Sequence, residues 1–131
     1  MSVALFFITH EGIASNLLTV AETIIKPGSN ISYAEIAMDM DTGSAIDDIE
    51  NSIAQLDTKE GILFFTDIYG STPSNVAQQL ADRYHAHLIS GVNLPMIIRL
   101  LNYRNETEET LVQKALEGAK KSIQDNSPES D

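Results

Sequence analysis

Short apolar runs alternate with longer amphipathic ones along the whole chain. Val3 to Ile8 (VALFFI) is continuously apolar, which predicts a strand buried on both faces. Ile13 to Ile25 follows, with Ile13, Leu17, Val20, Ala21 and Ile24 at helical spacing, and Lys26-Pro27-Gly28 ends it. Ile31 to Ala37 reads as a second strand, polar enough for a sheet edge. Ser44 to Leu56 sets Ile46, Ile49, Ile53 and Leu56 on one helical face. Gly61 to Phe65 (GILFF) predicts a third strand, again continuously apolar. Pro73 to Tyr84 carries Val76, Ala77, Leu80 and Ala81 at helical spacing, and Ala86 to Ser90 reads as a short fourth strand. Leu94 to Tyr103 and Glu108 to Ala119 are two further helical stretches.

Strands alternating with helices imply βαβ units, and so an α/β fold: a three-layer, doubly wound sheet of four parallel strands. The first and third strands are the most apolar and belong in the centre, giving the order 2-1-3-4. The switch point then falls between them. At 131 residues the chain has the size of one domain, read as residues 1–124. The last seven residues, 125–131 (DNSPESD), hold nothing apolar and read as a polar tail.

Charge narrows the partners. With 8 Lys+Arg against 19 Asp+Glu the formal net charge is −11, which disfavours nucleic acid and anionic lipid and favours a basic protein surface. Residues 35–60 concentrate this, with eight acids against Lys59 alone. That stretch is a solvated face, and it would also hasten encounter with a basic carrier. The absence of cysteine excludes disulfides, thiolate metal sites and thiol catalysis. The opening MSVALFFITHEG reaches His10 and Glu11 too soon for a signal peptide or a membrane span, so a cytoplasmic protein without membrane insertion is expected.

Ligands in such sheets bind beyond the carboxyl ends of the strands at the switch point. The first strand ends in Thr9-His10-Glu11-Gly12 and the third in Thr66-Asp67-Ile68-Tyr69-Gly70-Ser71-Thr72-Pro73. His10 and Asp67 should therefore emerge side by side. A carboxylate that accepts one imidazole N–H fixes the tautomer and leaves the other nitrogen as a nucleophile. Taken separately, a loop histidine and a loop aspartate are ordinary surface residues; their joint placement at two central strand ends makes them a candidate site. Gly70-Ser71-Thr72-Pro73 reads as a turn into a helix, with Thr72 as N-cap and Pro73 in the first helical position. Its free amides suit a phosphoryl group, to which a helix start contributes about 0.3–1 kcal/mol. Nucleotide-binding glycine motifs are absent, and His10-Glu11 lacks the second histidine of a zincin helix. His85 and His87 have no evident third ligand, so no metal site is expected.

Thr9-His10, Phe65 to Asn75 (FTDIYGSTPSN) and Gly91 to Met96 (GVNLPM) together resemble the IIA component of the mannose-family sugar phosphotransferase system. The resemblance runs from residue 1 to about residue 120. It implies that His10 takes a phosphoryl group from the phosphocarrier HPr and passes it to a IIB component. Asp67 would hold His10 through Nδ1, leaving Nε2 to be phosphorylated, with Gly70, Ser71 and Thr72 as the phosphate cradle. It further implies a homodimer with an exchanged antiparallel C-terminal edge strand, for which 118–124 (GAKKSIQ) is weak material. Glu11 stands where the family usually has glycine, and Tyr69 where tryptophan is common. Arg99 and Arg104 are expected near the phosphate. In-line transfer between histidines needs positioning and charge stabilisation, so no metal or organic cofactor is expected. Two rival readings are the phosphotransfer subunit of a dihydroxyacetone kinase, and a non-catalytic regulatory domain of the same fold.

Overall fold

In the computed structural model, which describes residues 2–128, the chain runs β1 (Ala4–His10), α1 (Ala14–Ile24), β2 (Ile31–Ile36), α2 (Thr42–Ile53), β3 (Ile62–Thr66), α3 (Thr72–Tyr84), β4 (Leu88–Ile89), α4 (Leu94–Asn102) and α5 (Glu108–Ser122). All strand pairings are parallel, in the order β2-β1-β3-β4. The expected α/β architecture and strand order are both present. The two apolar runs lie centrally because only central strands are covered on both faces; every residue of β3 is buried.

Alternation along β1 and β3 divides the core in two. Leu5, Phe7, Leu63 and Phe65 pack beneath α1, α4 and α5, while Phe6, Ile8, Ile62 and Phe64 pack beneath α2 and α3. Register places Phe6 beside Phe64 and Phe7 beside Phe65. The second pair stacks with ring centroids 4.7 Å apart, and the first is tilted at 6.2 Å. Each such ring contributes about 1.5–3 kcal/mol through burial, and a stacked pair adds about 0.5–1.5 kcal/mol. The sheet centre is therefore a rigid base for whatever its strand ends carry.

Helix α1 buries only part of the face expected: Ala21 is inside and Leu17 packs at the core margin. Ala14, Leu18 and Ala21 are inside, whereas Ile13, Val20 and Ile24 are 39%, 44% and 55% exposed. The helix has two apolar stripes, and the one with two alanines wins because small side chains let it approach β1 and α4 closely. Helix α5 uses its apolar face at home, with Leu111 and Ala115 fully buried. Residues 118–122, expected to begin an exchanged strand, are instead the last turn of α5. Their Ala-Lys-Lys run is helix-favouring, and Gly118 lets α5 sit against the Arg99 side chain and the Pro95 carbonyl. Ile123 beyond it is 81% exposed, and among the described residues no strand follows. Residues 129–131 of the polar tail lie outside the described residues.

Candidate functional site

The last residue of β1, His10, meets Asp67, the first residue after β3. Asp67 Oδ2 lies 2.7 Å from His10 Nδ1 and also accepts the His10 backbone N–H at 3.0 Å. The Ile68 N–H donates to the other carboxylate oxygen at 3.0 Å. Burial alone would raise the Asp67 carboxyl, but the His10 backbone N–H, the His10 ring and the Ile68 N–H outweigh it and hold the pKa below the usual carboxylate value. An ionised carboxylate has no proton to give, so Nδ1 must carry the hydrogen of this bond. Nε2 then bears the lone pair. It makes no hydrogen bond to any described residue, and the side chain is 40% exposed.

The turn after His10 is pinned from the neighbouring strand. Helix α1 starts at Ile13, which has no oxygen with which to cap it. Two residues paired in register, Thr9 of β1 and Glu35 of β2, supply the caps. Thr9 Oγ1 accepts the Ala14 N–H at 3.0 Å and donates to the His10 carbonyl at 2.8 Å. Glu35 Oε2 accepts from the Ser15 N–H at 2.8 Å and the Ser15 hydroxyl at 2.6 Å. Desolvation would raise the Glu35 carboxyl, yet hydrogen bonds from the Ser15 hydroxyl and the Ser15 and Gly12 amides lower it below its ordinary value. The start of α1 is thus already supplied with acceptors.

The start of α3 is not. Ser71, with extended backbone, is its N-cap, and its side chain makes no capping bond; the cap had been expected at Thr72, which is the first helical residue. Proline is accepted one position later than expected because first-turn amides lack intrahelical partners anyway. Gly70 takes φ +91°, the left-handed region that a side chain rarely tolerates. The loop is braced internally: Ser74 Oγ accepts the Gly70 N–H at 2.8 Å and donates to the Ser71 carbonyl at 2.9 Å, and Ser71 Oγ donates to the Ile68 carbonyl. The amides of Ser71, Thr72 and Ser74 have no acceptor among the described residues. Gly91-Val92-Asn93 buttresses Asp67 from the other side. The Gly91 N–H donates to the Asp67 carbonyl, the Val92 N–H to the Thr66 carbonyl, and Asn93 caps α4 through the Met96 N–H.

Neither arginine is at this site, contrary to expectation. Helix α4 begins at the carboxyl end of the sheet and runs back along it at about 1.5 Å per residue, carrying its last turn away from His10. Arg99 lies over the Tyr103 ring and reaches Glu117, and Arg104 donates to the Ser29 and Asn30 carbonyls before β2. His85 ends α3 at the opposite edge of the fold, with His87 just before β4. No group of three or more His, Cys, Asp or Glu suited to a metal ion occurs among the described residues. A groove of about 520 Å³ runs from Asp67 between Ile13, Leu17 and Val20 of α1 and the 92–94 loop. Thr9, Glu35 and Ser74, none of them a site candidate by sequence pattern, support the site. Only Ser74, three residues after the cap, stood in a position that local helix-start rules flag.

The EIIA-man family model, described as PTS system fructose IIA component, matches residues 4–116. The chain belongs to that family. Over 126 residues it is 29% identical to the mannose-specific EIIAB component of the PTS from Escherichia coli K12, covering 94% of this chain and 39% of that protein. It therefore spans about two-fifths of the length of such a curated relative. Among solved structures, a mannose/sorbose-specific IIA subunit from Enterococcus faecalis superposes with a TM-score of 0.84 at 18% identity, over 100% of both chains. A Klebsiella pneumoniae protein described as a sugar phosphotransferase system permease superposes with a TM-score of 0.76 at 30% identity, over 95% of this chain and 90% of that one. His10 and Asp67 stand at the switch point between β1 and β3. No helix among the described residues is long and apolar enough to cross a membrane.

Proposed function

We propose that this chain is a phosphoryl carrier of a sugar phosphotransferase system, accepting a phosphoryl group from phospho-HPr on His10 and delivering it to a IIB component. One observation carries the reading: a 40% exposed imidazole whose Nδ1 is held 2.7 Å from an ionised carboxylate while Nε2 is unengaged. The Nε2 lone pair attacks phosphorus as the donor's phosphorus–nitrogen bond breaks in line, and that bond's electron pair returns to the donor imidazole. The Nδ1 proton stays on His10, with Asp67 offsetting the positive charge that develops on the ring. The loop of Gly70, Ser71 and Thr72 receives the phosphoryl oxygens, a role favoured by the Ser71 and Thr72 amides, which lack internal acceptors, while the Gly70 amide is taken by Ser74 Oγ and shapes the loop. The step needs no metal or organic cofactor.

Residues 1–124 are the working domain and residues 125–131 a dispensable tail. The carrier acts in the cytoplasm as a homodimer, and the exposed Val20 and Ile24 on α1 support pairing through a helical face. Incubation with phosphoenolpyruvate, enzyme I and HPr, followed by intact-mass measurement, tests the core of this reading. The wild type gains one phosphoryl mass and His10→Gln gains none. An unmodified wild type would sink it and would favour a regulatory domain.

A further inference from the structure

We propose that Glu35 is a positioning residue for His10, holding the β1–α1 turn from the adjacent strand. The inference rests on the reading of His10 as the phosphoryl acceptor. His10 is gripped on one side by Asp67, through both its ring and its backbone N–H. Its other flank is the turn of residues 10–13, closed by a long bond from the Ile13 N–H to the His10 carbonyl at 3.3 Å and containing Gly12 at φ +83°. Such a turn has little stiffness of its own. Helix α1 would steady it, but Ile13 offers no capping oxygen.

Glu35 supplies what is missing. One carboxylate oxygen takes both the amide and the hydroxyl of Ser15, and Thr9, its register neighbour, takes the Ala14 amide. The first turn of α1 is therefore tied to β2, and through it the backbone that follows His10 is tied to the sheet. A charge-assisted bond of this kind is short and about twice as strong as a neutral one. Asn16, in the first turn of α1, donates to the Gly12 carbonyl, a bond that ties the turn to the helix but not to the sheet. Asp67 sets the direction of the imidazole, and Glu35 fixes the turn that follows His10 at the end of β1. In-line attack is sensitive to displacements of about 1 Å, which can cost on the order of 100-fold in rate.

The test compares Glu35→Ala, which removes the acceptor, with Glu35→Gln, which keeps a neutral one. In the unphosphorylated protein, nitrogen–proton correlation spectra report the His10 ring, and amide exchange reports Gly12 and Ser15. In Glu35→Ala the His10 ring signals shift and broaden while those of His85 and His87 do not. The Gly12 and Ser15 amides lose protection while the Phe6 and Phe64 amides keep theirs. Transfer from phospho-HPr slows roughly tenfold or more, and Glu35→Gln recovers most of it. Unchanged His10 ring signals with transfer within about twofold of wild type would overturn the proposal, leaving Glu35 as a helix cap only. Uniform loss of amide protection, Phe6 and Phe64 included, without rescue by glutamine would overturn it too, as general destabilisation. The ring and exchange measurements need no phosphorylation. A wild type that accepts no phosphoryl group would therefore refute the carrier role while these readouts still judge Glu35.

Discussion

A single oxygen, Asp67 Oδ2, accepts both the Nδ1–H of His10 at 2.7 Å and its backbone N–H at 3.0 Å. Two donors of one residue on one acceptor fix the side-chain torsions as well as the tautomer. The ring cannot rotate away without breaking a bond to an ionised group, and Nε2 is presented outward in one orientation. In the proposed carrier this geometry would preorganise His10 for attack, with two residues at adjacent strand ends.

Phosphorylation should fall on His10 alone. The His85→Gln/His87→Gln double variant is expected to take up as much label from phospho-HPr as the wild type, and His10→Gln none. The bond is a phosphoramidate, released by acid and stable to alkali. Label retained by His10→Gln would refute this assignment.

Asp67→Asn should slow transfer by about 10- to 100-fold while leaving the far-ultraviolet dichroism unchanged. An amide can turn its NH2 toward Nδ1 and so favour the wrong tautomer. Rates within about twofold of wild type would reduce Asp67 to a structural role.

The same carboxyl predicts an acid-dependent term in stability. Its pKa in the folded protein lies below the ordinary aspartate value of 3.8. Its contribution is therefore fully present above that value and disappears as pH falls through the lower folded-state pKa. The stability difference between wild type and Asp67→Asn should be constant from neutral pH down to about 5 and shrink below about 4. Denaturant titrations across that range measure it, and a difference that grows with acid would contradict the sign.

Gly70→Ala should cost about 1 kcal/mol in stability and slow transfer. No heavy atom lies within 4 Å of the added carbon, so the cost is backbone strain at φ +91° and not a clash. Urea unfolding checks this; an unchanged midpoint would show that the loop relaxes freely.

The protein should sediment as a dimer of the 14.3 kDa chain at micromolar concentration. Ile24→Lys, placed on the exposed stripe of α1, should shift it toward monomer, whereas removal of residues 125–131 should change nothing. A wild-type mass near that of one chain would refute the dimer.

Much of this molecule is written locally in its chain. Two runs of bulky apolar residues, VALFFI and GILFF, could only be strands covered on both faces, and that alone places them side by side at the centre. Once β1 and β3 are neighbours, His10 at the end of one and Asp67 just after the other come out at the same end of the sheet, within hydrogen-bond reach. The glycine, serine and proline signals of the loop before α3 were equally local, and missed the cap by one residue.

What tertiary structure decided were choices between partners far apart in sequence. Helix α1 carries apolar residues around more than one stripe, and closeness of approach to β1 and α4 selected Ala14, Leu18 and Ala21 over Ile13, Val20 and Ile24; no periodicity distinguishes them. Arg99 and Arg104 follow a motif that touches the site, yet the direction of α4 takes them to its far end. Glu35 lay within an acidic stretch indistinguishable from solvated surface. Only the pairing of β2 with β1 brings its carboxylate to the start of α1, where Ile13 offers no capping oxygen and the Ser15 amide needs an acceptor.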